Sequence, residues 1–100
     1  MIQVQLNLPT TTNTGKSTKK QLNQLEIETC EKFGGVTAFN GVGKWVDKNK
    51  LYFDKLRIYQ VSIEPKDKKE FVTMCKKYGK LTKQLAIYIV INNKPKIINI

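Results

Sequence analysis

One hundred residues, 40% of them hydrophobic, suffice for one compact domain around a single core and not for two. Eighteen Lys and Arg against eight Asp and Glu leave a net charge of +10, and no apolar run approaches the roughly 20 residues that a membrane-spanning helix needs. The chain has no histidine, the usual proton-transfer group near neutral pH, and its two cysteines make neither a disulfide framework nor a zinc site.

Taken in order, Ile2, Val4, Leu6 and Leu8 alternate with Gln3, Gln5 and Asn7, which predicts a strand with one buried face, ended by Pro9 and a Thr-rich stretch. Its opening residues lack the basic and apolar regions of a signal peptide, so a cytoplasmic setting is expected. Thr18 and Gln21 have the spacing of a capping box, and Leu22, Leu25, Thr29 and Phe33 follow at helical spacing up to a stop at Gly34. The stretch VTAFNGVGKWVD reads as a strand, a kink at Gly41 and Gly43, and a return strand from about Trp45. Asp47–Lys50 is a polar turn into a long strand over 51–63, whose alternation slips near Asp54–Leu56, as a β-bulge would make it do.

After Pro65, Asp67 and Glu70 suggest a second capping box. Phe71, Met74, Cys75 and Tyr78 build a helical stripe that Gly79 is expected to end. The run LAIYIVI is a strand, NNKP a turn, and 96–100 a short closing strand. The resulting fold class is α+β: a ferredoxin-like β-α-β-β-α-β antiparallel sheet with two helices on one face and an extra C-terminal hairpin strand, spanning 1–100 as one domain. Both cysteines are expected to be small buried hydrophobes.

Gly15, Lys16 and Ser17 match the end of a phosphate-binding loop between a strand and a helix. The first glycine of that motif is missing, since Thr10 holds its place, and no metal-binding carboxylate follows on a later parallel strand. Nucleotide hydrolysis is therefore excluded. What survives is a helix start that favours an anion, with Lys16 beside it.

Most carboxylates fall on helix surfaces, no acid–base pair stands out, and no cofactor or metal motif is present. Asp54, inside the long strand, is the exception: pairing to Lys44 or Arg57 across strands is its expected role, and a small enzyme using it is a third reading. The reading is thus a binding module without chemistry. Trp45 follows Gly41-Val42-Gly43-Lys44, where a ligand could approach the backbone while its ring stacks on the indole. The polar sheet face carrying Gln3, Gln5, Asn7, Gln60 and Ser62, with Tyr88 as a further member, is a second candidate surface. It lacks the first-strand aromatics with which RNA-recognition modules stack bases, so nucleic-acid binding is expected to be weak and directed at the backbone.

The residues Phe33, Gly34, Gly35, Thr37, Gly43, Trp45, Tyr52, Asp54 and Gln84 resemble a pattern shared by a group of small bacterial, plasmid and phage proteins: Phe-Gly-Gly-x-Thr, then Gly-x-Trp, a long strand, and a Gln-x-Ala start to the last core strand. The resemblance implies a ferredoxin-like fold and no particular activity. With the charge, it suggests a phage protein that holds a host molecule intact. The expected ligand is anionic and nucleotide-like, contacted by Lys44, Trp45, Arg57, Gln84 and Lys16, in a homo-oligomer. The alternative is a module that docks on an acidic host protein.

Overall fold

The computed structural model describes residues 1–100, and the alternation at its start becomes β1 (Ile2–Pro9), with Val4, Leu6 and Leu8 buried. The chain continues through α1 (Lys19–Phe33), β2 (Thr37–Asp47), β3 (Lys50–Ile63), a 3-10 turn (Pro65–Asp67), α2 (Lys68–Leu81), β4 (Ala86–Ile91) and β5 (Lys94–Asn99). The five strands form one antiparallel sheet in the order β2-β3-β1-β4-β5. Both helices lie on one face. Leu22 and Leu25 of α1 and Phe71, Met74, Cys75 and Tyr78 of α2 share a single core with Val4, Leu6, Leu8, Tyr59, Val61, Ile63, Ile87 and Ile89 of the sheet. No helix is long and apolar enough to cross a membrane.

Two hairpins are closed by the same device. Lys48 and Asn49 (φ 50° and 64°) join β2 to β3, and Asn92 and Asn93 (φ 49° and 67°) join β4 to β5. Two successive positive φ values make type I′ turns, whose twist matches that of the flanking strands. A turn centred on residues 48 and 49 sets the register of the whole β2–β3 hairpin, from Asp47 opposite Lys50 to Thr37 opposite Gln60.

That register runs without interruption, and so does the pairing of β1 with β3 from Ile2–Ile63 to Pro9–Leu56. The expected bulge at Asp54–Leu56 is therefore absent, as is the kink at Gly41 and Gly43. The apolar parity changes along β3 because its two faces are covered differently. Tyr59, Val61 and Ile63 point under the helices, whereas Leu56 and Ile58 point to the open face and lean across β2. A Cβ on Gly41 would stand 2.7 Å from Ile58 Cδ1, and one on Gly43 would stand 3.2 Å from Leu56 Cδ1. The glycines make room for these side chains within a straight strand.

The helix ends differ from expectation too. Gly34 closes α1 in the left-handed region (φ 91°), its amide donating to Cys30 O, as expected. Thr18, however, does not cap with its side chain. Its hydroxyl donates to Pro9 O (3.1 Å) and ties the helix start to the end of β1. Asp67 caps nothing with its side chain either. Gly79 does not stop α2, which continues to Leu81. It lets the helix approach β4 and the C-terminus, since a Cβ there would stand 2.8 Å from Ile100 Cδ1 and 3.0 Å from Ile87 Cγ2. Of the two cysteines, only Cys75 is buried, and Cys30 is exposed.

Candidate functional site

On the face without helices, the hairpin register lays residues in cross-strand rows. Trp45 opposes Tyr52, Gly43 opposes Asp54, and Gly41 opposes Leu56. Rows on one face follow each other at about 7 Å, twice the rise per residue. The Trp45 and Tyr52 rings stack at 5.6 Å between centroids and 15° between planes, and the indole remains 47% exposed. A flat, half-exposed aromatic platform thus stands one row from a carboxylate.

The sheet is notched beside that carboxylate. Proline lacks the amide donor that a further rung would need. β1 ends at Pro9, and Thr10 contributes its amide to Lys55 O (2.9 Å) before the chain turns away. β3 runs on past this point with β2 alone, leaving a gap between β3 and β4. The gap is a concavity of about 520 Å³ bordered by Asn7, Gly43, Lys44, Asp54, Leu56 and Tyr88. Asp54 makes neither of the pairings expected of it: the chain's ion pairs involve Glu26, Glu28 and Glu70, and no side chain hydrogen-bonds to it. Behind it lies an ordered amide row, in which Gln60 donates to Gln5 (3.2 Å) and Gln5 to Asn7 (2.9 Å). The site therefore offers an aromatic surface, one unpaired carboxylate, a phenol and an amide, on a floor kept low by glycine.

The five residues singled out in the sequence do not meet in one place. Lys44 borders the concavity but opposes Phe53 in the register, so it is one residue out of step with Trp45. Arg57 lies on the helix face, donating to Asn40 Oδ1 (3.0 Å) and standing 3.9 Å from Glu26 Oε2, the oxygen that also accepts from the Tyr59 hydroxyl (2.9 Å). Burial first, and that carboxylate second, push the Tyr59 phenol well above its usual range. Gln84 donates to Thr11 O and Thr82 O (3.0 Å each), fastening the loop before β4 to the loop after β1.

Lys16 is exposed in a closed turn whose amides are already engaged. The amide of Thr12 donates to Lys16 O (2.7 Å), that of Gly15 to Thr12 O (3.0 Å), that of Lys16 to Thr12 Oγ1 (3.1 Å) and that of Thr18 to Thr10 O (3.0 Å). A phosphate cradle needs such amides free and convergent, so this loop is not one. The sequence suggests Asn7 and Tyr88 for a separate polar face and does not pair Tyr52 with Trp45; the structure brings Asn7 and Tyr88 together with Asp54 around one concavity, beside the stacked Trp45 and Tyr52. The signal was present in the turn, because any hairpin centred on Lys48-Asn49 places Trp45 opposite Tyr52 and Gly43 opposite Asp54.

No protein-family model and no curated protein matches the chain. Two solved structures share its fold. A phage SAM lyase in its apo state superposes with a TM-score of 0.64 at 10% identity, covering 99% of this chain and 89% of the lyase. A phage SAM lyase in complex with S-methyl-5′-thioadenosine superposes with a TM-score of 0.59 at 13% identity, with the same coverage. The chain is thus built on a fold that a phage enzyme uses, over nearly its full length. This overturns the expectation of a module without chemistry. That expectation rested on the missing histidine, the incomplete phosphate-binding loop and the lack of an evident acid–base pair. Each argues against one kind of chemistry, proton transfer or phosphoryl transfer, and none argues against chemistry as such.

Proposed function

We propose that this chain is a phage-encoded enzyme of the lyase class that cleaves a carbon–sulfur bond of a sulfonium nucleoside such as S-adenosylmethionine and releases a thioadenosine. The observation that carries the reading is the superposition on a SAM lyase, apo and with S-methyl-5′-thioadenosine, across 99% of the chain. The scaffold is read as the ferredoxin-like arrangement extended by β5, supported by the strand order β2-β3-β1-β4. The enzyme works in the host cytoplasm.

The residues of the open face fit that chemistry. Adenine stacks on the Trp45–Tyr52 platform. The ribose lies over Gly43, within reach of Asn7 and Tyr88. The sulfonium and ammonium charges meet Asp54, the carboxylate that has no partner in the chain. In the cleavage both electrons of the carbon–sulfur bond go to sulfur. The carbon receives a pair either from a nucleophile, such as the substrate's own carboxylate, or from an adjacent C–H bond whose proton passes to a base, for which Asp54 is at hand. Charge at sulfur is lost as the bond breaks, so the half-apolar surroundings of Leu56, Trp45 and Tyr52 favour the transition state over the charged substrate.

The nature of the ligand shifts accordingly. Thioadenosine is an uncharged nucleoside, so the site reads a purine and a local cation rather than a phosphate. Of the residues expected to contact ligand, Trp45 belongs to this site and Lys44 borders it from the neighbouring row, whereas Arg57 and Gln84 belong to the frame around it and Lys16 lies in the turn before α1. The enzyme acts as a homo-oligomer, a reading supported by the large apolar side chains left exposed on the β2–β3 hairpin.

The test is direct. Purified protein is incubated with S-adenosylmethionine, and the products are separated by liquid chromatography, with binding of S-methyl-5′-thioadenosine measured by calorimetry. Release of thioadenosine above the uncatalysed rate supports the reading. Absence of both turnover and thioadenosine binding disposes of it.

A further inference from the structure

The net charge is not spread evenly over the fold. Between Lys66 and Lys83 seven lysines stand against two carboxylates, a surplus of five, which is half of the net +10 of the whole chain. All seven are exposed. Lys77 is engaged by Glu28 on α1, and Glu70, one of the two carboxylates, is engaged by Lys32. Lys66, Lys68, Lys69, Lys76, Lys80 and Lys83 have no ion-pair partner.

Helical geometry sorts these into a stripe. Positions 69, 73, 76 and 80 recur at intervals of three and four, and so lie along one side of α2. That side faces away from Phe71, Met74, Cys75 and Tyr78, which fill the core. From Lys69 to Lys80 the stripe is about 16 Å long at 1.5 Å per residue. Lys68, Lys69, Val72, Thr73 and Lys76 border a shallow groove along it. Lys76 and Lys80, one turn apart, repel each other and destabilise the isolated helix slightly. A polyanion relieves that repulsion.

We propose that the outer face of α2 docks on the phosphate backbone of duplex nucleic acid. Along a B-form duplex one negative charge falls every 1.7 Å or so of axis, so a 16 Å stripe spans about ten phosphates, enough for each lysine to find one. A lipid surface fits less well. An interfacial helix needs an apolar face to sink between headgroups, and the apolar face of α2 is spent in the core. The stripe lies across the sheet from the Asp54 concavity, so duplex and nucleoside occupy separate surfaces. Lysine alone supplies the charge, with no arginine fork to read a base edge, so the contact is independent of sequence.

Fluorescence anisotropy with a labelled 20-base-pair duplex, using the whole chain between 50 and 200 mM salt, tests this. The native protein is expected to bind with a log–log salt slope near −3, at about 0.9 per phosphate neutralised. The triple variant Lys69→Gln, Lys76→Gln, Lys80→Gln should lose most of that slope and at least tenfold in affinity at 50 mM salt. The control Lys48→Gln, Lys94→Gln, Lys96→Gln removes the same charge elsewhere and should retain most of the affinity. Circular dichroism verifies that both variants fold, and a single Lys76→Glu variant, expected to weaken binding about threefold or more, gives an independent reading. Equal losses in the two triple variants, a slope near zero for the native protein, or tighter binding to anionic vesicles than to duplex at equal salt each overturn the proposal.

Discussion

Asp54 is the residue on which the proposed chemistry turns. It sits in mid-strand opposite a glycine, without any cation to neutralise it, although the chain carries eighteen basic side chains. An unpaired carboxylate among lysines is a ready site for a ligand that brings its own positive charge. Asp54→Asn keeps the shape and removes the charge. It is expected to lower kcat/KM for thioadenosine release at least 100-fold, while binding of the neutral product changes less than threefold. A loss of product binding as large as the loss of turnover would show that Asp54 shapes the pocket and does not act on the cation.

The two thiols make a sharper residue-scale contrast than their common identity suggests. Burial pushes the Cys75 thiol far above its usual range, and only the thiolate reacts. Cys30 is exposed on α1. A chromogenic disulfide reagent should therefore titrate one thiol per chain in the native protein and two in denaturant. Rapid reaction of both in the native state would contradict the packing of α2 on the sheet. The sequence expectation that both are buried fails because a cysteine is apolar enough for a core and small enough to be tolerated outside one. Position 30 is turned about 100° from the buried Thr29, which carries it off the core-facing side of the helix.

Between elements, the joint of α1 with α2 rests on Glu28. Burial by itself raises its pKa, but hydrogen bonds from Lys77 and Tyr78, and the charges of Lys77 and Lys32, outweigh that and leave the carboxyl below its usual range. The same contact, with burial as the larger cause, pushes the Tyr78 phenol up to about 12. A carboxyl whose pKa is lowered by folding contributes stability that is complete above its unfolded value and is lost as pH falls through the folded one. Thermal midpoints measured from pH 6 down to pH 3 should therefore fall less steeply in Glu28→Gln than in the native protein, with the midpoint at pH 6 itself lowered. Parallel curves would remove Glu28 from this role.

Gly79 makes the joint of α2 with β4 and the C-terminus. Alanine at an ordinary helix position gains up to about 1 kcal/mol over glycine. Here its Cβ meets Ile87, which is 2% exposed and cannot yield. Gly79→Ala is expected to lose about 1 kcal/mol net, a fall of roughly 4–8 °C in Tm for a domain of this size. A rise in Tm would mean that the helix stands further from β4. These elements also show what a sequence exposes and what it conceals. The core stripes of α1 and α2 were legible because one buried side repeats every three or four residues. Gly79 as a stop, the two capping boxes and the bulge in β3 were misread, because each depends on what lies across a gap: Ile87 and Ile100, Pro9 O, or the open face that Leu56 and Ile58 cover. The platform and the concavity were half legible, through Trp45 and its glycines. Their completion by Tyr52, Asp54 and Tyr88 needed the hairpin register and the end of β1.

At the scale of the whole molecule, the body and the hairpin are unlike. Under the helices the sheet is covered on one face. Beyond Pro9, β2 and β3 continue as a two-stranded arm, and the molecule measures 42 Å along its longest axis against 23 Å along its shortest. On one face of the arm stand Val46, Leu51 and Phe53, each more than 60% exposed, and on the other Trp45 and Tyr52. A ribbon of two strands is marginally stable alone in water, and an apolar surface of this kind calls for a cover. On the proposed homo-oligomeric reading a second copy of the chain would provide one, with the free outer edge of β2 available for pairing. The particle in solution should accordingly have at least twice the 11.5 kDa mass of one chain by light scattering. The double variant Leu51→Lys, Phe53→Lys should run at the monomer mass. Because the arm carries Trp45 and Tyr52, loss of the assembly should also weaken thioadenosine binding at least tenfold, although neither substituted residue faces the platform. A native protein of monomer mass, or a monomeric variant that binds nucleoside as well as its parent, would show that the arm stands alone and that the open face is complete within one chain.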